Sequence, residues 1–501
     1  MRHLRFVALS LLAPAAPLLA QSGRAFTPND WYRVTTLSAP DVSPDGRLVA
    51  FTVTTVNAAE NKRHSEVWVV PTAGGEPVRY TSPSTESSNP RFSPDGSLLF
   101  FQSQRAGGKG NTWALRMDRP GGEAFQPTSY PPRGTATRDG RLFVFTDTIA
   151  PDTAGGRKDD LFAKMGAMAR PPYGAITRPV DPARFDGRHI VDAGYKANGR
   201  GFIPGLREAR AWRAQQIWVQ RPGEERRRLT STAYSHRDAA VSPDGRWIAF
   251  VADSGLRSDS AVQAARDSIA KLPYDARRDE AERNDSEIFV IPAAGCGASE
   301  CEPRRVATIP GFESDLQWSP DGRQIAFTWR PARTKSVRLG VVDAAGGQPV
   351  NVIGDFVYEP EQFEWLPNGR MLMQAAVGGR TALHVVDPKA RTVREIVGGR
   401  RRINGFSADD AGRVVAFVAT SMTKPTELFV ANADGTGERK LTGFNDKLNA
   451  EIAWSDAERF TYRSVGGLEI EGWLMKPYGY QAGKKYPLAL YIHGGPHSAY
   501  G

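Results

Sequence analysis

SPDGRLVAFTV, residues 43–53, is a turn that passes at once into an apolar strand, and the pattern returns as SPDGSLLFFQS from Ser93, SPDGRWIAFVA from Ser242 and SPDGRQIAFTW from Ser319. Proline presets φ at about −65° in the first central turn position, aspartate suits the second, and glycine accepts the positive φ that follows. The tetrapeptide is therefore a tight link between two antiparallel strands. The strand after it is apolar at consecutive rather than alternate positions. That requires burial on both faces, as in a sheet sandwiched between two neighbours.

Looser copies fill the gaps: RDGRLFVF from Arg138, LPNGRMLM from Leu366 and SADDAGRVVAFV from Ser407. Each unit has a second half of apolar strand, glycine-rich turn and polar strand, as in EVWVVPTAGGEPVRYT from Glu66 and ELFVANADGTGERKLT from Glu427. Four strands to a unit and seven units predict an all-β seven-bladed propeller, whose blades recur every ~40–50 residues. Two intervals are longer and predict insertions near 150–212 and 254–285. The second carries a helical pattern, AVQAARDSIA, with Ser258 or Asp259 as its N-cap.

The composition agrees. Fifty glycines and 36 prolines in 501 residues suit many tight turns, and 40% hydrophobic residues exclude wholesale disorder. The formal charge of +10 is scattered in small clusters (Arg226–Arg228, Arg304–Arg305, Arg400–Arg402) rather than along one aromatic-rich stripe, which argues against nucleic-acid binding. At the amino terminus Arg2, His3 and Arg5 precede an apolar run, Phe6 to Ala20, interrupted by Pro14 and Pro17. This reads as a signal peptide over residues 1–20, with no stable membrane anchor after cleavage and a periplasmic or secreted product. Cys296 and Cys301, in CGASEC, form a candidate disulfide in an exported chain, two free thiols being the alternative. His493 and His497 lack the adjacent glutamate of a zinc-binding helix, so neither metal nor cofactor is expected.

The pattern changes after Leu441. FTYRSVGGLEIEGWLMKP (460–477) reads as a hairpin, and KKYPLALYIHGGPHSAYG (484–501) as a strand entering a glycine turn. Leu488–Ile492 is a continuous apolar run, the signature of a buried central strand in an α/β sheet. Acyl transfer needs backbone N–H groups aimed at a developing oxyanion, and Gly494 and Gly495 at the end of that strand suit such a loop. His493 reads as a loop-bracing side chain. Glu359, Glu361 and Glu364, in FVYEPEQFEW, form a candidate acidic cluster for a substrate amine, a solvated loop being the plainer account. No G-x-S-x-G elbow occurs in the 501 residues.

Together, the repeated SPDG blades, the hairpin residues Glu471, Gly472, Trp473, Leu474 and Pro477, and YPLALYIHGGPHSAYG resemble the prolyl oligopeptidase family of serine peptidases, in its acylaminoacyl-peptidase and dipeptidyl-peptidase-like branch. The resemblance implies a propeller (residues 21–445) that limits peptide entry to an α/β-hydrolase domain beginning at residues 446–501. It also implies nucleophilic attack by serine with histidine and aspartate behind it. Only the oxyanion element carries over, with the N–H of Gly495 preferred to that of Gly494. Other branches use a tyrosine hydroxyl there, but Tyr491 lies two residues before His493 and is not assigned that role. With no triad in sight, the chain is expected to be truncated before the catalytic serine and inactive alone. A TolB-like propeller binding a protein partner in the periplasm is the competing class, and a catalytically lapsed family member acting as a binding protein is the third. The tail from Phe460 separates the first two. Oligomeric state is left open.

Overall fold

The computed structural model describes residues 23–105, 111–119, 121–127, 134–148, 213–270, 285–295, 302–332 and 334–494. Residues 1–20, read above as a signal peptide, the insertion at 150–212, Cys296, Cys301, Gly495 and His497 lie outside them. Seven antiparallel sheets follow one another along the chain as the blades of a propeller. Six have four strands (residues 36–79, 135–228, 237–307, 312–351, 360–397 and 402–440), and blade 2 (87–116) has three among the described residues. An isolated bridge from Ala114 to Phe125 stands beside the third strand of blade 2. Among the described residues each blade is built from consecutive strands, and none is shared between the two ends of the chain.

The repeated turn works as the sequence predicts, with one addition. Ser43 Oγ accepts the Leu48 N–H at 2.9 Å and donates to Asp45 Oδ1 at 2.7 Å, which in turn accepts the Arg47 N–H at 3.0 Å. Ser93, Thr137, Ser242 and Ser319 repeat the knot with Asp95, Asp139, Asp244 and Asp321. The serine is thus a local side-chain cap on the incoming strand, a role that the proline, aspartate and glycine obscure. Gly46 closes the turn at φ +75°, where glycine is at no steric disadvantage.

Eight residues after the capping position six of the seven second strands carry a buried phenylalanine: Phe51, Phe101, Phe145, Phe250, Phe327 and Phe417. Blade 6 has Gln374 there. Its amide donates to Glu361 Oε2 at 2.9 Å and accepts the Gly405 N–H at 3.0 Å, so burial is met by hydrogen bonds. The core is therefore a series of interblade clusters, such as Leu142, Ile217, Phe250 and Ile291 between blades 3 and 4. Three of the outer strands are short and basic (Arg227–Arg228, Arg304–Ala307, Arg439–Lys440), which blunts those sheet edges against pairing.

Around the channel, inner-strand side chains of neighbouring blades bond to one another's backbone. Asp41 accepts the Phe92 N–H (2.6 Å), Arg91 donates to the Gly134 carbonyl (3.2 Å), and Thr135 accepts the Val241 N–H (3.1 Å). Trp318 donates to the Ala240 carbonyl (2.9 Å), Gln317 to that of Phe363 (2.7 Å) and Gln362 to that of Phe406 (2.9 Å). Ser407 accepts the Val42 N–H (3.1 Å) and completes the circuit. Every seam carries at least one such bond.

The seam between blades 7 and 1 has further closures. Asn445 accepts the Thr35 N–H at 2.9 Å and donates to the Thr35 carbonyl at 3.0 Å, and Thr426 accepts the Leu37 N–H at 2.7 Å. Outside it, Arg24 pairs with the backbone of Glu451 and Ala453, beside helix α2 (Asp446–Glu451). Asp30 there accepts from Arg24, Arg33 and Thr27 at 2.7–3.1 Å, and Glu451 accepts from both arginines. Hydrogen bonds from Arg24 hold the Asp30 carboxyl far below the carboxylate range, and those from Arg33 hold Glu451 at about 2. Both folded-state values lie below the unfolded ones, so the latch contributes fully above pH ~4.5; the Glu451 part is lost as pH falls toward 2 and the Asp30 part only at still lower pH. A Glu451→Gln chain should lose less stability than the parent between pH 5 and 2.5 in denaturant titrations. An unchanged acid limb would contradict this.

In blade 7, Glu427 accepts Thr442 Oγ1 (2.5 Å) and the Asn445 N–H (2.8 Å), and in blade 3 Gln216 accepts Thr230 Oγ1 (2.9 Å). Blade 4 has Glu287 at the same position but Ala307 in place of the threonine, and Glu287 Oε2 is buried without a partner. Burial pushes its carboxyl up to about 7. Because the folded value is raised, stability falls as pH rises through that range. Ala307→Thr supplies the missing hydroxyl and should stabilise by about 1 kcal/mol, more at pH 8 than at pH 6. Equal melting shifts at the two pH values would reject the pairing.

The second insertion contains helix α1 (Asp259–Ala270), and Ser258 proves to be its cap, accepting the Ala261 N–H at 3.2 Å. FVYEPEQFEW is not a solvated loop, because Pro360–Trp365 is the inner strand of blade 6. Among the described residues no helix is long and apolar enough to cross a membrane.

Candidate functional site

The hairpin predicted at 460–477 is formed by strands Ala457–Arg463 and Glu469–Met475, with Phe460 opposite Gly472. A Cβ on Gly472 would enter the Phe460 ring, so the glycine is the seat of that aromatic. The flanking residues dock the hairpin on blade 6. Glu471 Oε1 accepts the Gly379 N–H at 3.2 Å, and its other oxygen pairs with Arg459 at 3.1 Å. Trp473 packs so near the same turn that a Cβ on Gly379 would stand 2.7 Å from its Nε1. Arg400 donates to the Ala457 carbonyl and lies 5.8 Å from the Trp473 ring centre. E-G-W is therefore a docking device, and only the partner turn in blade 6 was missing from the sequence reading.

Gly378–Gly379 and Met422–Thr423 are the turns between the second and third strands of blades 6 and 7, and they border the hairpin's side of the ring. Antiparallel alternation puts the corresponding strand ends of blades 3 and 4, Thr148/Gln215 and Asp253/Ser286, on that same face. Both insertions are thus rooted on the face that carries the hairpin. Between hairpin, blade 6 and blade 7 opens a crevice of about 1080 Å³, walled by Tyr358, Val377, Met422 and Trp473 among apolar groups and by several arginines and lysines.

Residues 485–492 pair with no other strand among the described residues. Leu488, Leu490, Tyr491 and Ile492 are 77–79% exposed and take no strand pairing. A central strand needs hydrogen-bonded neighbours on both edges, and no described residue offers one. The His493 ring donates to the Gly494 carbonyl at 3.1 Å, and space is open beside the Gly494 Cα. The three glutamates do not converge on one ligand. Glu359 accepts the Val337 N–H at 3.0 Å, Glu361 the Gln374 amide, and Glu364 the Ala408 N–H at 3.3 Å across a seam. Burial raises the Glu364 carboxyl to about 8. No group of three or more metal-ligating side chains assembles among the described residues.

No family model matches the chain. It is 27% identical to the uncharacterized peptidase YuxL of Bacillus subtilis strain 168 over 487 residues, 95% of this chain and 67% of that protein. It is 22% identical to dipeptidyl-peptidase 5 of Porphyromonas gingivalis strain ATCC 33277, over 95% of this chain and 64% of the relative. Among solved structures, an acylaminoacyl peptidase in complex with Z-Gly-Gly-Phe-chloromethyl ketone superposes with a TM-score of 0.60 at 20% identity, over 94% of this chain and 62% of the other. The chain thus spans under two thirds to about two thirds of the length of the proteins it matches.

Proposed function

We infer, from the likeness to the peptidases of Bacillus subtilis and Porphyromonas gingivalis and to the solved acylaminoacyl peptidase, that these residues are the propeller and the leading part of the peptidase domain of an exported serine peptidase of the prolyl oligopeptidase family, acting on short peptides. The observation that carries the reading is the hairpin clamped to blade 6 through Glu471. A propeller alone has no use for a strand pair seated on one face and leading into H-G-G, which is also why a TolB-like binding module is the weaker account.

In this reading, a serine attacks the peptide carbonyl, a histidine takes its proton and returns it to the leaving amine, and an aspartate orients the histidine. All three are supplied by sequence outside the 501 residues. The chain's own contribution is the backbone N–H of Gly495, or of Gly494, to the tetrahedral oxyanion, with His493 bracing the loop. The ring, closed at every seam, restricts access to substrates small enough to pass it. The leader at residues 1–20 directs export to the periplasm or beyond.

The test has two arms. The 501-residue chain should take no label from a serine-directed fluorophosphonate, and labelling would refute the absence of a nucleophile. A gene product extended through the reading frame beyond codon 501 should label and release p-nitroaniline from short peptide anilides. A frame without G-x-S-x-G, or an extended product that neither labels nor hydrolyses, overturns the peptidase reading.

A further inference from the structure

The crevice between blade 6, blade 7 and the hairpin holds two cations that the ion pairs among the described residues leave unmatched. Four of its cations are matched: Arg380 with Glu395 (2.8 Å), Arg401 with Glu438 (2.6 Å), Lys440 with Asp446 (2.6 Å) and Arg459 with Glu471 (3.1 Å). Two more line it, Arg400 and Lys424, and neither has a carboxylate partner among the described residues. Of the lining carboxylates, Glu427 is consumed by Thr442 and Asn445, and Asp456 is exposed.

Arg400 is also held in a way that leaves it ready to bind. One Nη2–H goes to the Ala457 carbonyl, and the guanidinium lies against Trp473. Of its five N–H donors the rest remain for a ligand. A planar guanidinium fixed by stacking and one backbone bond loses little freedom when a carboxylate arrives, and it can meet one with two parallel bonds. Beside it, Trp473, Met422, Val377 and Tyr358 give the crevice an apolar wall. The volume, about 1080 Å³, has room for a few amino-acid residues.

We propose that this crevice binds peptides by a carboxylate, received by Arg400 and Lys424, with an apolar residue laid against Trp473. The carboxylate comes either from the peptide's free C-terminus or from an acidic side chain. The proposal deepens the peptidase reading by naming a feature of its substrates, but it concerns binding and needs no hydrolysis. The electrostatic part should weaken in salt.

The test uses calorimetric titration of the 501-residue chain with three probes: N-acetyl-Ala-Phe as the free acid, the same peptide as its amide, and N-acetyl-Asp-Phe-amide. The free acid should bind at least tenfold more tightly than its amide in low salt. Tight binding of the Asp amide as well extends the site to acidic side chains, whereas weak binding restricts it to C-termini. Lys424→Ala, an exposed change that leaves the hairpin contacts intact, should reduce the preference severalfold. Arg400→Ala should abolish it, and Arg400→Lys, which cannot form the paired bonds, should restore it only in part. Equal affinity for acid and amide, no binding of either, or a preference untouched in both Lys424→Ala and the folded Arg400→Lys chain overturns the proposal. Failure of the extended gene product to hydrolyse peptides would remove the peptidase reading and leave this preference standing.

Discussion

Phe250→Ala should lower the unfolding free energy by about 3–5 kcal/mol, the usual penalty for truncating a fully buried phenylalanine. The ring has no exposed surface, lies 4.6 Å from the His236 ring and 5.7 Å from that of Phe289, and joins blades 3 and 4 through Leu142, Ile217 and Ile291. A loss under about 1 kcal/mol in denaturant midpoint at constant slope would mean that the interblade cluster repacks. The same variant carries a pH signature. Burial holds the His236 imidazole down at about 4, so the parent loses stability as pH falls from about 6.5 toward 4. Opening the cluster to water relieves that burial, and the gap between variant and parent should narrow at pH 5.

Gly311→Ala should be similarly severe, at about 3–5 kcal/mol, for a different reason. Gly311 connects blades 4 and 5 at φ +115°, outside the basins open to alanine. A Cβ there would run into the carbonyl oxygen of Arg330 and stand 2.9 Å from the carbonyl carbons of Arg330 and Pro331, which are main-chain atoms unable to turn aside. The residue also donates its N–H to Asp285 at 3.1 Å and accepts that of Ser286 at 3.0 Å, so moving it unpicks the edge of both blades. The thermal midpoint should fall by many degrees. A folded Gly311→Ala chain with an unchanged midpoint would show that this link is not fixed by its neighbours.

The ring was legible because its signal is repeated and local. A turn tetrapeptide, an apolar run and a second strand recur in one order, and each copy confirms the others. Blade 6 shows what a weak copy conceals: Leu366 replaces the capping serine and Gln374 the phenylalanine, yet Gln374 recovers its burial through Glu361 and Gly405, contacts that no local pattern records. The same holds for the site. Glu471, Gly472 and Trp473 stand out in the sequence, but their partner Gly379 lies some ninety residues earlier, across an approach that only the folded ring creates. Leu488–Ile492 is the opposite case, apolar in sequence and unpaired among the described residues. Its composition suits a central strand, but composition cannot supply the neighbouring strands that hydrogen bonding demands.

Because every blade is a contiguous run of strands, the unit of folding coincides with a unit of DNA. An in-frame duplication or deletion from one inner strand to the next adds or removes a whole sheet and leaves no orphan strand behind. Its two new seams need only the side-chain-to-backbone bonds that neighbouring blades already make. A ring that splits one blade between its two chain ends has no such freedom at that blade, since recombination there would leave half a sheet unmatched. Near-identity of the turn units at Ser43, Ser93, Ser242 and Ser319, beside drift elsewhere, is the trace that copying of this kind would leave in a gene.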